Sequence, residues 1–214
     1  MQPLIIHYAH SLSPARPRLD QLQPFPIAPR SRETTRRKPP GVIRGDYAVK
    51  LSNCAFERVG DKNDGGYLVC KNLSARLTKP VHQYDCFNVD HPPCEGATPV
   101  FHAECVGPEK ATIEGRPFDT VEVQVARNGD AGKRLIMKMD VEGSEWQSFL
   151  EMPESVMQQV DQLTVECHGV EEKDYAPAIN RLRKFFHVVN VHYNNWTCSP
   201  DVKPLQATTF EVLL

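Results

Sequence analysis

The run Leu135-Ile136-Met137-Lys138-Met139 is apolar at four of five positions, and it stops at Asp140 and Glu142 with Gly143 behind them. A strand with one wet face alternates apolar and polar residues. A nearly continuous apolar run instead marks a strand covered on both faces, as in the interior of a parallel sheet. Such a strand cannot lie at a surface, so the chain must fold as layers packed around it. Two carboxylates at its end need a separate explanation.

The segment after Gly143 reads as a helix. Ser144-Glu145-Trp146-Gln147 fits the S-x-x-Q capping box, Trp146, Phe149 and Leu150 recur at the spacing of one apolar face, and Pro153 ends the segment. Residues 162–168 read as a strand, 174–186 as a helix with Tyr175, Ile179, Leu182 and Phe186 on one face, 187–193 as a strand and 208–214 as a last strand. Upstream, Asp64-Gly65-Gly66 marks a tight turn before a short strand at 67–70. Residues 81–86 and 100–106 also read as strands, and 120–125 as strand or helix. The alternation predicts an α/β fold, an open and largely parallel sheet with helices on both faces. The two closing strands, joined by a loop alone, predict an antiparallel pair at one edge.

A chain of 214 residues with 40% hydrophobic residues is sized for one domain with a substantial core. Its first 47 residues are different material. Between Met1 and Arg44, eight basic residues stand against two acidic ones, so with a chain total of −2 the remainder carries −8. The same segment holds eight of the 18 prolines and no glycine before Gly41. Residues 1–47 are therefore expected to form a disordered tail whose removal changes stability little, and 48–214 the domain. No apolar run approaches the roughly 18 to 20 residues of a membrane span. The net charge argues against broad nucleic-acid attraction.

Seven scattered cysteines, an odd number in a chain large enough to fold without staples, predict reduced thiols in a cytoplasmic setting. The Arg-rich, acid-poor start also has the composition of an organelle import segment. His82, Cys86, His91, Cys94, His102 and Cys105 offer zinc-type ligands, yet their spacing matches no common zinc module, so no metal ligand is expected.

In an open parallel sheet, ligands bind beyond the carboxyl ends of the strands. Several strands here end on polar residues: Asp85, then Asp140 with Glu142, then Glu166 with His168, then His192 with Asn194 and Asn195. Their convergence on one edge predicts a site there.

Four segments carry a family resemblance: RVGDKNDGGYLVC, KMDVEGSEW, LTVECHG and VVNVHYNNW, in this order across residues 54–214. The chain resembles the FkbM-like, DGGY-containing methyltransferases. D-x-E-G-x-E-W is the most specific motif, and DGGY and H-x-N-N add support. The resemblance implies a class I, Rossmann-like sheet with a reversed last strand, S-adenosylmethionine as cofactor, and methyl transfer to the oxygen of a small-molecule or glycan-like acceptor. It also implies that Asp85 takes the ribose hydroxyls of the cofactor and that Asp140 and Glu142 lie beside cofactor and acceptor. A catalytic base is then drawn from His168, His192, Asp140 or Glu142. The other reading is a non-catalytic binding or zinc-stabilised domain on the same scaffold.

The chain departs from that pattern at one place. Only KNLSARLTKP separates Cys70 from Val81; it has no glycine and is shorter than the dozen or so residues that a parallel crossover needs. The first strand-turn-helix unit of the cofactor site is absent there. The sheet is therefore expected to be a strand short near its centre, with apolar surface left open and S-adenosylmethionine bound weakly or not at all.

Overall fold

A computed structural model describes residues 4–9, 54–59, 67–70, 77–88, 99–170, 175–194, 197–198 and 207–214. The strands, numbered in chain order, are β1 (Leu4–Ala9), β2 (Phe56–Val59), β3 (Tyr67–Cys70), β4 (Leu77–Tyr84), β5 (Pro99–His102), β6 (Cys105–Val106), β7 (Ala111–Ile113) and β8 (Arg116–Asp119), followed by β9 (Arg134–Met139), β10 (Val160–Cys167), β11 (Asn190–Tyr193) and β12 (Phe210–Leu213). The helices are α1 (Val121–Arg127), α2 (Glu145–Glu151), α3 (Glu154–Gln159) and α4 (Ala176–Leu182). Thr120 settles the ambiguous 120–125 segment as helix, because its hydroxyl accepts from the Val123 N–H and caps α1.

Seven strands form one sheet in the order β11-β12-β10-β9-β1-β4-β5. β9 and β10 are parallel, as are β4 and β5, and β12 runs antiparallel to both β10 and β11. The closing pair is thus antiparallel as expected, with β11 at the edge. The run at 134–139 lies between two other strands, and its Leu135, Met137 and Met139 are almost fully buried.

Two expectations fail at the centre of this sheet. Leu4–Ala9 is a strand inside the domain, hydrogen-bonded between β4 and β9 and antiparallel to both. The tail expectation therefore does not hold for these six residues; residues 10–47 lie outside the described ones. The sheet is also not a strand short, because β1 occupies the gap. An apolar, β-prone segment, Leu4-Ile5-Ile6-His7-Tyr8-Ala9, pairs with two strand edges that would otherwise leave backbone donors and acceptors unmatched.

The two faces of the sheet differ. Leu135, Met137, Met139, Val165, Phe210 and Val212 join the buried faces of all four helices in one core. By strand alternation, Lys138, Gln162, Thr164, Glu166 and Glu211 point the other way. There, among the described residues, the antiparallel β2–β3 pair covers the sheet: the Cys70 N–H donates to Gln162 Oε1 at 2.9 Å, and Lys138 Nζ lies 4.5 Å from the Tyr67 ring centre. Asp64-Gly65-Gly66 lies outside the described residues.

The cysteines also differ from expectation. Cys54 is bonded to Cys70 and Cys86 to Cys105; Cys167 and Cys198 are free thiols. Each bonded pair joins segments that the fold brings together, the first across the hairpin and the second from the end of β4 to β6. Cysteine usage therefore gives no support for a reducing compartment. The zinc-type cluster loses two thiolate ligands to the second bond. His82 Nδ1 and His102 Nε2 instead share a hydrogen bond at 2.9 Å, and His91 and Cys94 lie outside the described residues. No helix among the described residues is long and apolar enough to cross a membrane.

Candidate functional site

The site begins with a turn. After β9 the chain reverses through Val141-Glu142-Gly143, and both Glu142 (φ +53°) and Gly143 (φ +98°) adopt left-handed backbone. For glycine this costs little; for glutamate it costs about 1 to 2 kcal/mol. A non-glycine residue held there is a feature that surrounding contacts must enforce. Glu142→Gly is expected to be more stable than Glu142→Ala by about 1 kcal/mol in chemical denaturation, since both delete the carboxylate and only one relieves the backbone. Equal stabilities would show that the turn relaxes at no cost.

Glu145 enforces the turn. Ser144 is the N-cap residue of α2, as predicted, but its side chain makes no capping hydrogen bond, so the capping box does not form. The Glu145 carboxylate takes over the backbone donors instead. Its Oε1 accepts from the Val141 N–H at 3.1 Å, its Oε2 accepts from the Gly143 N–H at 3.0 Å, and Oε1 lies 2.9 Å from His168 Nδ1. Glu145 is completely buried. Trp146 next to it donates its indole N–H to the His168 carbonyl at 2.7 Å. Together these contacts pin the end of β10 against the end of β9, which is why the E-W pair follows the D-x-E-G element.

His168 consequently presents Nε2 to the acids. That nitrogen lies 3.9 Å from Asp140 Oδ1, 3.7 Å from Glu142 Oε2 and 4.0 Å from Glu166 Oε1. Burial opposes charge on the imidazole, but the Glu145 hydrogen bond and charge, followed by Asp140 and Glu166, outweigh it and push its pKa up to about 9.

The hairpin completes the cluster from the other side. The Tyr67 hydroxyl lies 2.7 Å from Glu166 Oε2 and 2.9 Å from Asp140 Oδ2, and Lys138 Nζ donates to the same Asp140 oxygen at 3.0 Å. A phenol has one proton to give to two carboxylates. Lys138 balances Asp140, so the shortage falls on Glu166, whose pKa burial and the Asp140 charge both raise. Asn194 Nδ2 donates to the remaining Glu166 oxygen at 3.2 Å.

Asp85 lies farther along the same edge. Its Oδ1 accepts from the Phe87 and Asn88 N–H groups at 2.7 and 3.0 Å, which fixes the turn after β4. Asp85 Oδ2 and Asp140 Oδ1 are both buried and accept no hydrogen bond from the protein. Both residues line one cleft, walled by Tyr84, Phe87, Val106, Phe118 and Glu142. Its volume of about 40 Å³ holds a few waters, and it opens to solvent beside the exposed Phe87 ring.

The structure thus brings Asp140, Glu142 and His168 together and sets Asp85 across the cleft from them. It keeps His192 apart: that residue is half-exposed on β11, with Nδ1 3.3 Å from Glu211 on the neighbouring strand. Sequence reasoning missed the roles of Glu145, Tyr67 and Lys138. Of these, only Lys138 carried a local signal, since it stands two residues before Asp140 and so shares its face of β9.

Compared with known proteins, the chain matches no family model, no curated protein and no solved structure.

Proposed function

We propose that the chain is an S-adenosylmethionine-dependent methyltransferase-like protein of the FkbM-like type, directed at a hydroxyl of a small or glycan-like acceptor, and that it holds the cofactor weakly. The observation that carries this reading is the cleft between Asp85 and Asp140, where each acid keeps one buried oxygen without a donor. Ribose brings hydroxyl donors, and Asp85 Oδ2 has the lone pairs to receive them. The strand order adds support. In a doubly wound sheet of order 3-2-1-4-5-6, the crevice lies beside the first strand. The order β5-β4-β1-β9-β10-β11, with the reversed β12 inserted before β11, follows that arrangement, except that β1 runs the opposite way.

That exception is why the affinity is weak. A forward strand leading into a glycine turn would bring backbone N–H groups to the ligand, and a strand running backwards delivers no such turn. Asp85 fits the cofactor; the first-strand position does not. When bound, S-adenosylmethionine supplies an activated methyl group. The chain's own residues orient the acceptor and take its proton. With His192 held away by Glu211 and His168 held protonated by the acids around it, the proton acceptor is drawn from Asp140 and Glu142.

Calorimetric titration tests the reading. The expected dissociation constant for S-adenosylmethionine is on the order of 1 mM. It should become unmeasurable in Asp85→Ala, because losing hydrogen bonds to a charged acceptor costs about 1.5 to 3 kcal/mol. Equal binding in that variant would refute the ribose assignment, and tight stoichiometric binding would refute the weakened cofactor half. No binding to either protein would leave a non-catalytic domain on this scaffold as the better reading.

A further inference from the structure

We propose that Asp140, Glu142 and His168 form a site for one divalent transition-metal ion. Such a site goes beyond methyl transfer and does not depend on it. One ligand atom from each of the three residues lies within 4.8 Å of the other two. The separations of His168 Nε2 from Asp140 Oδ1 and Glu142 Oε2, 3.9 and 3.7 Å, are too long for hydrogen bonds. They are close to what a shared ion requires: ligand bonds of about 2.1 Å in tetrahedral geometry set neighbouring ligand atoms roughly 3.4 Å apart. The two histidine separations need to shorten by only a few tenths of an ångström, and side-chain rotation of the exposed Glu142 can draw its oxygen toward Asp140, which lies within 4.8 Å.

An independent observation comes from Asp140. It is buried, its Oδ2 is used by Lys138 and Tyr67, and its Oδ1 points toward His168 with no donor. A buried carboxylate oxygen with no hydrogen-bond donor, faced only by the His168 ring at 3.9 Å, is better satisfied by an ion bound directly to it. The surroundings are also those of a metal ligand set. His168 Nδ1 is held by Glu145 Oε1, which fixes the ring and turns Nε2 inward, as carboxylate–histidine–metal arrangements do. The strained backbone of Glu142 holds that residue beside the other two. One imidazole with two carboxylates suits Mn²⁺, Fe²⁺ or Zn²⁺ better than Mg²⁺ or Ca²⁺. Three protein ligands leave coordination positions open for an oxygen ligand, water or an alcohol.

Mn²⁺ is the probe of choice, because it avoids the free thiols. The full chain, stripped with EDTA and dialysed, is titrated while the electron paramagnetic resonance of free Mn²⁺ is followed. Saturation at one ion per chain is expected, with histidine nitrogen coupling in the pulsed spectrum. Glu142→Gln, at a partly exposed position where folding should survive, is expected to weaken binding at least about tenfold. His168→Gln should abolish the nitrogen coupling. Saturable binding that is unchanged in Glu142→Gln places the ion elsewhere and overturns the proposal. An absence of binding by the folded chain also overturns it, and makes His168 a charge-balancing imidazolium. Neither result touches the S-adenosylmethionine titration, so the two readings fail separately.

Discussion

Deleting residues 1–9 is expected to abolish the cooperative thermal transition. β1 is paired at six positions with β4 and at five with β9, and among the described residues no other strand joins those two in the sheet. At a net value of about 1 kcal/mol per backbone hydrogen bond, the loss is on the order of the 5–15 kcal/mol that stabilises a whole domain. It would also expose two long strand edges in the middle of the sheet, which invites pairing between chains. The measurement is circular dichroism on heating, with light scattering to detect association. A deletion variant that melts cooperatively within a few degrees of the full chain would mean that β4 and β9 close directly on each other. In that case β1 would be an accessory strand.

The second large effect is expected at Glu145. Glu145→Ala removes together the acceptor for two backbone N–H groups of a strained turn and the carboxylate facing a partly buried imidazole. Removing one member of a buried ionic pair leaves the other uncompensated and typically costs about 3 to 5 kcal/mol. Glu145→Gln loses the charge but keeps one oxygen to accept from the backbone, so its cost should be clearly smaller. The pair of variants, compared by denaturant titration, separates the backbone role from the charge role. Equal losses would mean that the negative charge beside His168 carries nearly the whole effect. A loss under about 1 kcal/mol in Glu145→Ala would mean that the turn does not depend on this carboxylate.

Much of the layout was legible locally. Continuous apolarity marked β9 as an interior strand, and the periodicity around Trp146 and Phe149 marked α2, because burial and helix formation depend on residues a few positions apart. The strand-end rule brought Asp140, Glu142 and His168 to one edge, and Asp85 to the same edge across the cleft. It also nominated His192, which the sheet pairs with Glu211 instead.

By itself, then, the sequence determined the order of β9, α2, β10, α4, β11 and β12 and which of their residues had to be buried, for these are consequences of local pattern and solvent exclusion. Only the tertiary structure decided which distant segments meet. The apolar segment at 4–9 was outweighed in sequence by the prolines and arginines that come after it. It becomes a central strand because β4 and β9 offer it two open hydrogen-bonding edges, a property of the assembled sheet and of no single segment. Tyr67 reaches Asp140 across 73 positions and Glu166 across 99, and Glu145 leaves the cap expected of its neighbourhood for His168, 23 residues on. Such contacts form where folding buries polar and charged groups together, away from water, so that each must find its hydrogen-bond partner among the others.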